Sequence, residues 1–116
     1  MKKLDLSRDN IEETLHGSEF YCITAADSSM LPEINPGDDC ICDCNAIIQN
    51  GDLVHCKIDG ESLIRVYFRD IDKKIVQFIP IDAKAYSTLS IELSKIIEMN
   101  IEFHKIISVS KKLNIA

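Results

Sequence analysis

The sequence predicts a mostly β fold, a compact antiparallel β-barrel or sandwich preceded by a short N-terminal helix or arm. Two observations carry that expectation. Apolar residues recur at every second position over most of the chain after residue 18, the signature of half-buried strands. Turn signals rich in Gly, Asn and Asp interrupt these runs about every ten residues, the spacing of short antiparallel strands. At 116 residues the chain makes one domain.

Residues 1–18 read as a polar arm or linker with one short helix. Asp9 caps it, Glu12 closes a capping box, Ile11 and Leu15 share a face, and Gly17 ends it. The β domain then occupies residues 19–113, with 114–116 as a tail. Glu19 to Ala25 is strand-like, and Ser28 to Asp38, with Pro32 and Pro36, is a turn-rich loop. Asp38 to Cys44 is a second strand. Asn50-Gly51 is a turn before a third, Asp52 to Ile58, whose Val54, Cys56 and Ile58 share a face. Asp59-Gly60 is a tight-hairpin signal, because both turn positions favour positive φ. In the fourth strand, Ser62 to Arg69, Ile64, Val66 and Phe68 point one way and Leu63, Arg65 and Tyr67 the other. Asp70 to Lys74 turns the chain into a fifth strand, Ile75 to Ile81. Leu89 to Met99 fits either a strand or a helical face, and Phe103 to Val109 is the last strand.

Composition narrows the function. Thirteen Lys and Arg against nineteen Asp and Glu give a net charge of −6, the wrong sign for a domain that grips phosphate backbones by itself. No apolar run approaches the length of a membrane span, and no apolar core follows Lys2-Lys3 as it would in a secretory signal. Five cysteines, an odd and crowded set, argue against a disulfide framework and for a reducing, cytoplasmic setting. Cys40, Cys42 and Cys44 project from one strand face about 7 Å apart, a poor chelate unless Cys56 or His55 adds a ligand from elsewhere. They are expected to be small buried hydrophobes, with no metal and no cofactor. His16 and His104 have no identifiable partner and are expected at a surface or interface.

The segment Ser29-Met30-x-Pro32, then Gly37-Asp38 after four residues, then Asn50-Gly51-Asp52 and Ile58-Asp59-Gly60-Glu61, resembles a family of self-cleaving repressors and peptidases with a serine–lysine dyad. LexA, the phage CI repressors and the UmuD mutagenesis proteins belong to it. The resemblance runs from Phe20 to Leu113 and implies a β-rich fold with Ser29 at the nucleophile position. It implies a loop shaped by Met30, Pro32, Gly37 and Asp38. Where the family has its general-base lysine, this chain has Arg65.

That replacement bears on the chemistry. A serine hydroxyl needs a neighbour to accept its proton. Buried lysine can lose its charge and do so, whereas guanidinium stays protonated and only donates. Asp27 stands where the family usually has glycine, and a carboxylate there disfavours an oxyanion. Lys57 shares a face with His55, which looks exposed, so it is expected to be solvated. The twenty-eight residues before Ser29 contain neither the Ala-Gly nor the Cys-Gly bond that family members cut, and His16-Gly17 is the only glycine bond there.

The resemblance therefore implies the C-terminal dimerisation or oligomerisation domain of a LexA- or CI-like transcriptional repressor, with a degenerate peptidase site and no self-cleavage. Such a domain forms a homodimer or higher homo-oligomer and touches DNA only through a separate helix-turn-helix domain, of which these residues carry no pattern. A RecA-like co-protease or an antirepressor is the further partner the resemblance suggests, and no membrane is expected. In the last strand, Phe103, Ile106, Ile107 and Val109 are the expected interface, although alternate members must fill the core. Two alternatives stand beside this reading: an active self-cleaving serine peptidase using another base, and a UmuD-like accessory of the DNA-damage response.

Overall fold

The structure, a computed structural model, describes residues 19–112; the helix expected in residues 9–17 and the tail 114–116 lie outside the described residues. Seven strands follow in chain order: β1 (Phe20–Thr24), β2 (Asp39–Asp43), β3 (Leu53–Ile58), β4 (Glu61–Asp70), β5 (Ile75–Ile79), β6 (Leu89–Glu92) and β7 (Glu102–Ser110), with one short helix, α1 (Leu93–Glu98), between the last two. They form a single sheet in the order β1-β2-β7-β3-β4-β5-β6, every pair antiparallel. Among the described residues no helix is long and apolar enough to cross a membrane.

Local chemistry explains the hairpins. Asp59 and Gly60 take φ values of 52° and 82°, so the two-residue turn matches the strand twist and sets Ile58 opposite Glu61. Gly51 takes φ 95°, and Asn50 docks its turn on β4 by accepting from the Arg69 N–H and donating to the Arg69 carbonyl.

The segment Leu89 to Met99 is both of the things its pattern allowed. Leu89 and Ile91 alternate on β6, then Leu93 and Ile96 follow at helical spacing on α1, and all four pack against one apolar cluster. The chain changes period while keeping the same target, which is why neither period described the whole run.

Alternate residues of β3 and β4 feed two clusters. Ile64 is buried in one, flanked by Leu53 and Val66, together with Ala25, Met30, Ile34, Cys40, Cys42 and Ile106. Val54, Cys56 and Tyr67 join Val76 and Phe78 in the other, with Phe103 packed against them. The last strand departs from expectation. β7 is not an edge: it lies between β2 and β3 and is hydrogen-bonded on both sides. Ile106 is buried, Phe103 and Val109 pack against the two clusters, and Ile107 alone of the four is exposed. Ile107 falls where the β2–β7 register slips between Ile41 and Cys42, a bulge that leaves it without a cross-strand partner. The free edges of the sheet are β1 and β6.

Candidate functional site: the Ser29 cleft

The loop that carries Ser29 is closed at its base by backbone bonds. The Ala25 N–H donates to the Asp38 carbonyl at 2.8 Å and the Gly37 N–H to the Ala25 carbonyl at 2.9 Å. Met30 and Ile34 drop into the core and anchor the loop from within, joined by a bond from the Ile34 N–H to the Met30 carbonyl. The Leu31–Pro32 peptide is cis. Gly37 holds φ 95°, the backbone angle that calls for glycine there, and the strap that crosses it lays the flexible Lys112 side chain 2.7 Å from where a Cβ would stand.

Asp38 is that strap's anchor. Only 1% exposed, its carboxylate accepts the Lys112 N–H at 2.9 Å, the Asn35 N–H at 2.9 Å and Lys111 Nζ at 3.1 Å. Lys111 Nζ also donates to the Glu33 carbonyl. The two backbone donors, Lys112 foremost, outweigh the cost of burial and hold the Asp38 carboxyl down at about 2. The residues after β7 are thereby tied to the Ser29 loop.

Ser29 is 1% exposed and bonded at three points. Its carbonyl accepts the Asp82 N–H at 2.9 Å, its N–H donates to Asp27 Oδ1 at 2.9 Å, and its Oγ accepts from Arg65 Nη1 at 2.9 Å. The same Nη1 donates to the Ile64 carbonyl at 2.8 Å, and the guanidinium carbon lies 5.8 Å from the centre of the Tyr86 ring, within cation–π range. Arg65 is 5% exposed, and its Nε has no hydrogen-bond partner among the described residues. Burial raises the Asp27 carboxyl, but hydrogen bonds from the Ser29 side chain and backbone, with the nearby Arg65 charge, bring it below its ordinary value. Ser29 thus sits between a carboxylate and a guanidinium. A guanidinium aimed at its oxygen supplies a proton donor where nucleophilic attack needs an acceptor. The N–H of a nucleophilic serine is an ordinary oxyanion donor, and here Asp27 already occupies it.

The cleft has a volume of about 150 Å³ and is bounded by β1, the Ser29 loop and the start of β4. Among its lining residues are Ile23, Met30, Leu63 and Ile64, together with the hydroxyls of Ser29 and Ser62.

Ser29 and Arg65, thirty-six positions apart, are brought together, and Met30, Pro32, Gly37 and Asp38 all belong to the loop that holds them. Lys57 is exposed, as expected, but His55 is not: it is 6% exposed, its ring packed edge-on against Tyr21 and bonded to Tyr21 and Ser62. His104, expected without a partner, receives one. Tyr21 Oη lies 2.6 Å from His55 Nδ1 and 3.0 Å from His104 Nδ1, reaching across β2 from β1. His55 Nε2 lies 2.5 Å from Ser62 Oγ. Sequence reasoning missed this cluster. The available signal was the hairpin register, which pairs His55 with Ile64 and so puts Ser62 diagonally across on the same face. His16 lies outside the described residues.

The buried cysteines are held as neutral thiols. Burial pushes the Cys40 thiol to about 11 and Cys56 to about 12, the latter against the opposing pull of Arg65. Cys40 and Cys42 fill the core while Cys44 stands past the end of β2, half-buried. Among the described residues no group of three or more His, Cys, Asp or Glu is placed to hold a metal ion.

The sequence model of the family described as Peptidase S24-like matches residues 2–104. No curated protein matches the chain.

Proposed function

Since the chain belongs to the Peptidase S24-like family, that of the LexA-like proteins, we propose that it is the association domain of a LexA- or CI-like repressor with a disabled serine–lysine site. The observation that carries this reading is the bond from Arg65 Nη1 to Ser29 Oγ. A group that remains cationic at any pH the fold survives cannot relieve serine of its proton. The Asp27 bond to the Ser29 N–H adds a second lesion on the oxyanion side. What is left is a rigid scaffold, and its remaining role in such a regulator is to pair, so that two DNA-reading heads on separate domains meet two half-sites together.

With Phe103, Ile106 and Val109 engaged in packing, the apolar residues of the β2–β7 pair left for a partner are Ile107 and Ile41, 47% and 38% exposed. Homodimerisation uses this face, and an antirepressor or RecA-like co-protease is the heterologous partner to seek. For self-cleavage through another base, the carboxylate beside Ser29 is Asp27, and its lowered pKa makes it a weaker proton acceptor than an ordinary carboxylate.

Incubation at alkaline pH, followed by intact-mass measurement, tests the disabled site. The chain stays whole; a cleavage product that disappears in Ser29→Ala overturns the reading. Analytical ultracentrifugation tests association. A dimer at tens of micromolar that weakens in Ile107→Glu supports the face, and a strict monomer removes it.

A further inference from the structure

The cleft holds a second hydroxyl, and its surroundings differ in kind from those of Ser29. Ser62 is exposed and lines the cleft from the start of β4. Behind it a row of polar groups runs through the sheet: Ser62 Oγ to His55 Nε2 at 2.5 Å, His55 Nδ1 to Tyr21 Oη at 2.6 Å, Tyr21 Oη to His104 Nδ1 at 3.0 Å. These residues come from β4, β3, β1 and β7, so the row is assembled by the sheet order and by no local motif. In one direction along it each group donates to the next. Ser62 O–H donates to His55 Nε2, His55 Nδ1–H to Tyr21 Oη, and Tyr21 O–H to His104 Nδ1.

We propose that Ser62 is a nucleophile with His55 as its general base and Tyr21 as the group that positions the imidazole, making the cleft a site for acyl transfer from small, uncharged carboxylic esters. The relation of hydroxyl, imidazole and orienting acceptor is that of serine hydrolases in general, recognised by geometry and not by sequence order. The imidazole is suited to the task. Burial, followed by the charges of His104 on β7 and Lys57 on β3, disfavours its protonated form, so it is neutral and able to accept. Tyr21, which faces it from β1, has its own ionisation suppressed by burial and by Cys42, Cys44 and Glu102, so the phenol stays a neutral link. The step balances. The Ser62 Oγ–acyl bond forms as the ester C–O bond breaks, the hydroxyl proton passes to His55 Nε2, and His55 returns it to the leaving alkoxide. Water then repeats the exchange, releasing the carboxylic acid and restoring Ser62. The apolar lining of Ile23, Met30, Leu63 and Ile64 and the small volume select short acyl chains, and the Asp27 carboxylate at the wall repels anionic ones.

This inference goes beyond the disabled Ser29 site and does not depend on it. The test is a fluorophosphonate probe on the full chain, with the labelled residue mapped by peptide mass spectrometry and turnover followed with p-nitrophenyl butyrate. Labelling is expected on Ser62. His55→Gln, where the fold is kept by circular dichroism, is expected to slow it by about 10²-fold or more, the usual worth of a general base. Ser62→Ala, a change at an exposed position, abolishes it. Tyr21→Phe removes the acceptor that steadies the imidazolium; the labelling rate falls and its pH midpoint moves to lower pH, a shift that a purely structural role does not produce. No label on Ser62, or a Ser62 rate that His55→Gln leaves unchanged, overturns the proposal. Label on Ser29 overturns the disabled-site reading, so the two failures are told apart by the residue modified.

Discussion

Two serines line one cleft, and the elements that hold them place opposite chemistry behind each. Ser29 sits on a loop, 1% exposed, with a guanidinium donating to its oxygen and a carboxylate holding its N–H. Ser62 sits on a strand, exposed, with a neutral imidazole nitrogen 2.5 Å behind it. The first hydroxyl is buried and bonded to a cation, and the second is exposed with an imidazole nitrogen at its back. The contrast teaches that a nucleophile is defined less by its motif than by whether its neighbour accepts or donates. On the proposed reading, the partner that decides the chemistry of Ser29 lies thirty-six residues away, at Arg65.

The largest effect that sharpens this contrast comes from converting the first site. Arg65→Lys alone supplies an amine able to lose its proton, yet Asp27 still occupies the Ser29 N–H. Little cleavage of a supplied linker peptide is expected. Adding Asp27→Gly frees that donor, and the double variant is expected to exceed Arg65→Lys by about 10²–10³-fold, the usual worth of one oxyanion donor. Equal rates for the two variants would show that Asp27 is no obstacle.

Next comes the difference between a loop-held and a strand-held serine. Ile34, 1% exposed, anchors the Ser29 loop in the core. Ile34→Ala is expected to cost about 2–5 kcal/mol in urea unfolding, as large-to-small core changes do. Amide hydrogen exchange should then speed up in the Ser29 loop before it does in β3 and β4. Uniform acceleration through all three would remove the distinction.

The two regions also answer acid differently. The fold keeps His55 neutral, whereas the unfolded chain takes up a proton as pH falls through the ordinary histidine value of 6.5. Stability from this group is therefore complete above 6.5 and declines below it. Asp38 is held charged down to about 2 against an ordinary 3.8, so its contribution is complete above that value and is lost only as pH falls further toward 2, with Asp27 acting in the same sense. Thermal unfolding against pH should show two declines. His55→Gln removes the upper and Asp38→Asn the lower; a single decline untouched by His55→Gln would break the assignment.

The smallest effect concerns the hairpin beside Ser62. A Cβ on Gly60 meets nothing within 4 Å, but the residue holds φ 82°. Gly60→Ala is expected to cost about 1 kcal/mol of stability, from backbone conformation alone. A neutral change would mean that the turn relaxes.

Much of this was legible before any coordinates. Alternation located six of the seven strands to within about two residues, the usual fuzziness of strand ends, and left Leu89 to Met99 open between strand and helix. Asp59-Gly60 announced its turn, and the spacing from Ser29 to Asp38 marked the loop. Arg65 stood out only against a family pattern, since an arginine in an alternating strand looks like any other. His55 looked exposed because polar residues in half-buried strands usually face water. The Tyr21 ring packed against it, with hydroxyl partners for both ring nitrogens, offsets the cost of its burial. The last strand, whose apolar residues are the expected interface, lies inside the sheet between β2 and β3, a placement set by long-range pairing and not by local pattern.

Periodicity and turn chemistry are local properties of the backbone, so the amino-acid order alone determined where the strands begin, which way their side chains alternate, and that Ser29 lies on a tight loop. Which strands become neighbours depends on pairings between distant segments. That long-range order, with β7 inserted between β2 and β3 and Tyr21 reaching past both β2 and β7, decided that Ser29 meets a cation and that Ser62 meets an imidazole.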